Sequence, residues 1–471
     1  MKRPLVAALA ATLIAGCATV PAARDTPPEG QQATDAAKSS FIDDPYPSTY
    51  AAPSSQPVLI AGATVLTGTG ERLDGADVLM RDGRIEAVGV GLDAADAVRV
   101  DGKGKWVTPG IIDVHSHLGV YPSPGARAHS DGNEATAPVT ANVWAEHSVW
   151  PQDPGFDAAR AGGITTLQVL PGSANLVGGR GVTLRNVPAT SYQAMKFPGA
   201  PWGLKMACGE NPKRVYGQKG GPSTRMGNVA GYRAAFIDAA DYIRRQEKAA
   251  KKGGDDKDPV KRDLKLDTLA GAIQGDIRVH IHCYRADEMT TMLDLAKEFG
   301  FKVAAFHHGV EAYKIADRLA KEGVCGALWA DWWGFKMEAF DGIQENIALV
   351  DRPAGSCAIV HSDSEEGIQR LNQEAAKVMS HAHKAGMDIP PERAIRWLTA
   401  NPAKALGLLD RTGTLEAGKL ADVVLWNRDP FSVYAQAEQV WIDGARVYDR
   451  HDRATQHVSD FMLGQSAGGA R

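Results

Sequence analysis

The chain reads as an α/β protein, a (β/α)8 TIM-like barrel carrying a small β-sandwich domain built from both of its ends. Three observations lead there. Between about residues 108 and 409, short apolar runs of strand length alternate with helix-length segments, the pattern of parallel strands joined by crossovers. Eight such runs occur, enough to close a sheet on itself. Outside them, residues 58–107 and 410–450 hold short strand-like runs broken by turns such as Asp82-Gly83 and Asp443-Gly444. Neither end has enough strands for a stable domain alone, so the two are paired into one.

The N-terminus has its own character. Met1-Lys2-Arg3 is basic, and an apolar run from Leu5 ends in Ile14-Ala15-Gly16-Cys17, which reads as a secretory signal too short to span a bilayer. Residues 1–17 resemble a bacterial lipoprotein signal, in which Cys17 would become the lipid-bearing first residue; an ordinary signal peptide cleaved nearby is the alternative. The resemblance implies an exported protein, lipid-anchored in the cell envelope on the periplasmic side, and Ala18 after the cysteine points to the outer membrane. Residues 18–57, rich in Ala, Pro, Ser, Thr and Gln, read as a disordered tether.

Composition excludes some partners. With a net charge of -4 the chain has no basic surplus to neutralise a phosphate backbone, so nucleic acid is not expected. The membrane is reached only through the N-terminal lipid, and a homo-oligomer is left open. Cys208, Cys283, Cys325 and Cys357 sit in or beside apolar runs, where buried free thiols are the common outcome, and no disulfide is expected.

The eight strand expectations are residues 111–115, 165–170, 182–184, 203–207, 277–282, 302–306, 324–329 and 358–361. Helix-like segments are 231–250, 264–274, 286–299, 312–322 and 365–385. Residues 119–157 form a long Pro/Gly-rich insertion placed to lie over the barrel mouth, 171–181 a Gly-rich loop, and 251–263 a charged, solvated loop. The run Gly178-Gly179-Arg180-Gly181 lacks the Gly-Lys-Ser/Thr ending of a phosphate loop.

Strand ends at the C-terminal face of such a barrel converge on one site. The first strand ends in His115-Ser116-His117, whose imidazoles share a face because strand residues i and i+2 do. The fifth ends in His280-Ile281-His282, the sixth in His307-His308, and the eighth in His361-Ser362-Asp363. Lys205 interrupts the apolar fourth. Converging imidazoles and a carboxylate suit a divalent metal such as zinc. Within these pairs, His280 is placed one layer below His282, and His307 is placed toward the helices. His381 and His383 lie on a helix, where i and i+2 diverge, and are set aside.

Four segments resemble the amidohydrolase superfamily, in its imidazolonepropionase-like and dipeptidase branch. They are Thr108-Pro109-Gly110-Ile111-Ile112-Asp113-Val114-His115-Ser116-His117, Ala161-Gly162-Gly163-Ile164-Thr165-Thr166, the segment Leu398 to Gly407, and the segment Gly413 to Asp422. The resemblance implies that His115, His117 and Asp363 hold one metal and His282 and His308 a second, both zinc, with Lys205 bridging the two as a carbamate. Glu210, just past the fourth strand, is the rival bridge. It further implies that a hydroxide bridging the metals attacks a substrate carbonyl and that the C–N bond of an amide, peptide or cyclic amide is hydrolysed, on dipeptides or N-acyl amino acids, with Asp363 moving the proton to the leaving nitrogen. Tyr284, Arg285, Arg225 and His361 are the candidate substrate contacts, although Arg225 could equally pin the helix after it. A mononuclear deaminase or cyclic-imide hydrolase, and a non-catalytic metal- or solute-binding lipoprotein, remain as alternatives.

Overall fold

The computed structural model describes residues 41, 44–123, 125–251, 260–332 and 334–452. The signal segment, the lipidation candidate Cys17, tether residues 18–40, 42 and 43, and residues 252–259 of the charged loop lie outside the described residues. No helix among those described is long and apolar enough to cross a membrane.

Five N-terminal strands, β1 (Val58–Leu66), β2 (Arg72–Arg81), β3 (Arg84–Gly89), β4 (Val98–Asp101) and β5 (Trp106–Pro109), join three C-terminal ones, β14 (Val423–Trp426), β15 (Ala437–Ile442) and β16 (Ala445–Asp449). Both chain ends therefore build this layer. They form one hydrogen-bonded sheet in the order β16-β15-β14-β5-β1-β2-β3, where a sandwich of two sheets was expected. The physical reason is a fork. Along one edge β1 pairs first with β4 and then, past Gly62 at φ 76°, with β5, so the sheet turns on itself and encloses its own apolar face. That face buries Ile60, Val65, Val78, Ile85, Val107, Val423 and Trp441.

The second sheet runs β13-β12-β11-β10-β9-β8-β7-β6 and carries the large core. Its strands are β6 (Ile111–Ser116), β7 (Ile164–Val169), β8 (Val177–Arg185), β9 (Trp202–Ala207), β10 (Ile277–Cys283), β11 (Val303–His308), β12 (Cys325–Leu328) and β13 (Ala358–Val360). All eight stand close to where the apolar runs place them. Seven are parallel, as expected, but β8 is antiparallel to both β7 and β9. A parallel return needs a crossover of a dozen residues or more. Residues 170–176 are too few, so the chain turns straight back. The Gly-rich run expected as a loop is thereby part of β8: Gly179 sits at φ 120°, and a Cβ there would lie 2.3 Å from the Val143 carbonyl oxygen, so glycine lets the 119–157 insertion rest on the strand.

No ladder joins β13 to β6 among the described residues; the seam is closed by side chains and one main-chain bond. Asp363 N–H donates to the His115 carbonyl at 3.0 Å. Asp113, fully buried, accepts from His115 N–H at 3.1 Å and from both Ser362 N–H and the Ser362 hydroxyl. Burial pushes this carboxyl up to about 7, against hydrogen bonds from Ser362 and His115 that favour its charge.

Helices Leu264–Gln274 and Ala286–Phe299 match expectation, and the others differ in their starts. Helix Arg225–Lys251 begins six residues early. The 365–385 segment becomes helix Leu371–Lys384 after a tighter turn. Residues 44–57 carry no helix or strand, yet they are fastened to both layers: Lys196 Nζ, in the barrel, donates to Asp44 at 2.8 Å, and the Tyr50 hydroxyl bonds Asp443 in the turn after β15.

The cysteines overturn the free-thiol expectation. Cys208–Cys283 and Cys325–Cys357 form disulfides, with Cα separations of 5.2 and 4.5 Å. Each pair lies at one level of two neighbouring parallel strands, a proximity that sequence separations of 75 and 32 residues conceal.

Candidate metal centre

At the end of β6, His115 and His117 turn the same way, as their spacing requires. His117 Nδ1 lies 2.9 Å from the Leu170 carbonyl and can only donate there, so its Nε2 keeps a lone pair. That Nε2 is 3.3 Å from His115 Nε2 and 3.1 Å from Asp363 Oδ1, and His115 Nε2 is 3.2 Å from the same oxygen. A four-coordinate zinc with bonds of about 2.1 Å holds its ligand atoms about 3.4 Å apart. The three atoms already stand near that spacing, so the donor set fits a divalent cation in size and chemistry. Burial works to raise the Asp363 carboxyl, but His308, His117 and His361 hold it below its usual range, leaving it ionised. Asp363 sits at φ 57° on the turn after β13, which aims it inward.

The second half differs in detail from the expected pair. His282 and His308 have ring centroids 4.5 Å apart, and each has a buried Nδ1 without a hydrogen-bond partner among the described residues. His308 is however also grouped with His115 and His361, their ligand atoms all lying within 4.8 Å of one another. His361 takes the His308 backbone N–H on Nε2 at 3.2 Å. Lys205 is fully buried on β9, with Nζ donating to the Pro171 carbonyl at 2.9 Å. Burial lowers its ammonium to about 8, and its charge is felt at His115 and His282. Glu210 opens helix Glu210–Tyr216 and is paired with Lys336 at 3.4 Å.

His307 contradicts the expectation that it faces the helices. It is fully buried inside the barrel, with ring nitrogens 2.9 Å from His115 Nδ1 and 2.9 Å from His280 Nδ1. Strand alternation would separate His307 from His308, but His308 adopts φ 71°, so two consecutive histidines reach the interior. His280 does lie a layer below, as expected. Burial holds His115, His280, His282, His307, His308 and His361 below the ordinary imidazole range, so all are neutral at pH 7.

The expected substrate arginines are occupied. Arg225 pairs with Glu288 at 3.0 Å and with Glu338, pinning its helix, and Arg285 pairs with Asp287 on the surface. Tyr284 does face the site, stacked 5.6 Å from His308. Several side chains at the mouth escaped the sequence reading. Trp329 lies 4.2 Å from the His308 ring, Trp332 stacks on Trp329 at 4.9 Å, and Lys336 Nζ sits 4.0 Å over Tyr284 and 3.2 Å from Asn211 Oδ1. Tyr121, from the 119–157 insertion, packs 5.6 Å from His117. The signal was the run Trp329 to Lys336, aromatic residues directly after a barrel strand. Glu311, three residues after His308, accepts from Ala286 N–H at 2.9 Å and caps the helix that follows His282.

Comparison with known proteins now bears on this geometry. A solved amidohydrolase from Thermotoga maritima is 37% identical and superposes with a TM-score of 0.77, the match covering 83% of this chain and all of that one. The chain belongs to the amidohydrolase family. The amidohydrolase family model itself matches residues 361–448, from the β13 terminus into the C-terminal strands. The amidohydrolase tasK of Hapsidospora irregularis is 33% identical over 79% of this chain, which spans 40% of that protein's length. An imidazolonepropionase of Mesorhizobium japonicum is 25% identical over 74% of this chain and 86% of its own. Amidohydrolases are hydrolases of carbon–nitrogen bonds, and members of this family generally depend on a metal.

Proposed function

We propose that the protein is a metal-dependent hydrolase of amide bonds in small carboxylate-bearing substrates, dipeptides or N-acyl amino acids. The observation that carries the reading is the spacing of His115 Nε2, His117 Nε2 and Asp363 Oδ1, each 3.1 to 3.3 Å from the next. His282, His308 and a Lys205 carbamate would complete a second zinc position, and His361 competes for it. A divalent ion held there supplies a nucleophile from water at neutral pH and draws electron density from the scissile carbonyl.

The remaining work falls to side chains. Asp363, ionised and facing both histidines, takes the proton of the attacking water and passes it to the leaving nitrogen. Trp329, Tyr284 and Tyr121 wall the mouth with apolar surface and keep bulk water away. Lys336, which adjoins Tyr284 and is held by Asn211 at 3.2 Å and Glu210 at 3.4 Å, is the cation that would turn to a substrate carboxylate in the role expected of Arg225 and Arg285. A cavity of about 380 Å3 beneath the insertion, lined by Asn133, Trp144 and Pro171, has the size of a small-molecule pocket.

A mononuclear cyclic-amide hydrolase or deaminase is the second reading, favoured by one observation: Lys205 Nζ donates to the Pro171 carbonyl at 2.9 Å, a role the lysine fills as an ordinary ammonium without a carbamate. A panel of dipeptides, N-acyl amino acids and cyclic imides, assayed with and without chelator, separates the two. Chelator-sensitive release of an amino acid supports the first; turnover confined to cyclic substrates supports the second. Export with lipidation at Cys17 is proposed alongside, supported by two buried disulfides of the kind that persist in oxidising compartments. The intact mass of the mature N-terminal peptide tests it.

A further inference from the structure

Three imidazoles run in file down the barrel interior from the metal centre: His115 on β6, His307 on β11 and His280 on β10, joined by two nitrogen–nitrogen contacts of 2.9 Å. None has measurable exposure, so no solvent completes their hydrogen bonding. A neutral imidazole carries one proton, and a contact between two ring nitrogens needs one donor and one acceptor. The file can therefore be protonated in only two ways. In one, His280 Nδ1–H donates to His307 Nε2, His307 Nδ1–H donates to His115 Nδ1, and the third proton sits on His115 Nε2, facing Asp363. In the other every bond is reversed: His115 Nδ1–H donates to His307 Nδ1, His307 Nε2–H donates to His280 Nδ1, and the third proton sits on His280 Nε2.

Only the second leaves His115 Nε2 with a lone pair. It also requires an acceptor at the far end. His280 Nε2 and Gln168 Oε1 are both buried without a hydrogen-bond partner among the described residues. They are neighbours across Gly203, whose missing Cβ would lie 2.7 Å from Gln168 Nε2 and 3.4 Å from His280 Cδ2. The amide oxygen of Gln168 is thus placed to receive the terminal proton, after rotation of the amide or through one water.

We propose that His307, His280 and Gln168 form a positioning relay that holds His115 in its Nδ1–H tautomer, so that its Nε2 is ready to ligate a metal. The proposal rests on the metal-centre reading above. Both states carry three protons on the same three rings, so they are tautomers of one neutral file and differ only in which end bears the outward proton.

The test is zinc affinity of the full chain, measured by competition with a chromophoric chelator, together with 15N-detected NMR of the imidazoles. His307→Leu removes the acceptor and is expected to weaken zinc binding about 10- to 100-fold. His307→Gln, whose amide oxygen can accept from His115 Nδ1–H, is expected to recover most of that loss. Wild-type protein loaded with zinc should show His115 protonated on Nδ1 and His280 on Nε2, a readout that needs no variant to fold. Zinc binding within twofold of wild type in His307→Leu, or the opposite tautomers, would overturn the relay while leaving the metal centre intact. Wild-type protein that binds no zinc would overturn both.

Discussion

Acid should destabilise this protein steeply, because six histidines are buried neutral. His115, His280, His282, His307, His308 and His361 are at most 2% exposed, and burial pushes all of them down, His280 and His361 to about 3. In the unfolded chain each titrates near pH 6.5. A depressed folded-state pKa means that stability is present above the unfolded value and lost as pH falls below it. Between pH 7 and 5.5 each histidine then costs on the order of 1 kcal/mol, so the six together cost several kcal/mol. Asp113 and Glu146, both raised to about 7 by burial, run the other way. Being protonated in the folded state, they add about 3 kcal/mol over the same interval. The net is a loss on the order of a few kcal/mol at pH 5.5, a large share of the total stability of a typical protein. Urea unfolding monitored by circular dichroism at the two pH values measures it directly, with proton uptake on unfolding as a second reading. Stability unchanged within about 1 kcal/mol between pH 7 and 5.5 would refute the claim that these imidazoles are buried and neutral.

Further outcomes follow from other sites. Arg185→Met removes the guanidinium that bridges Asp422 and Asp443, at 2.5 and 2.7 Å, and leaves two carboxylates buried; it should cost about 3–5 kcal/mol in urea unfolding. Native, non-reduced mass analysis should find the chain about 4 Da lighter than its reduced form, since each disulfide removes two hydrogens, and full reactivity toward a thiol reagent would contradict both bonds. Lys336→Met should raise KM about tenfold for carboxylate-bearing substrates with kcat retained, and equal effects on amidated analogues would remove the lysine from substrate binding.

The parts of the molecule set by hydrophobic period were legible in the sequence, and the parts set by chain reversal were not. Apolar runs located all eight barrel strands, because a strand buried on both faces is apolar over most of its length. The direction of β8 depends on connection length, and the seven residues 170–176 are too short for a crossover. The Gly-rich run distracted from that count. In the site, strand-end placement put His115, His117, His282, His308, Lys205 and Asp363 around one mouth. Face alternation failed at His307, because the left-handed backbone of His308 breaks the period of two. The disulfides and the Trp329, Trp332 and Lys336 wall depend on which loops meet in space. No local pattern carries that information.

The central claim is that His115, His117 and Asp363 hold a divalent ion. Metal content of the purified full chain, after dialysis against zinc and then buffer, tests it most directly. The account predicts about two zinc ions per chain, one after Lys205→Ala, and loss of the tight ion in the double variant His117→Ala/Asp363→Ala with its fold retained. Zinc content equal to wild type in that double variant, or no zinc in the wild type, would contradict it.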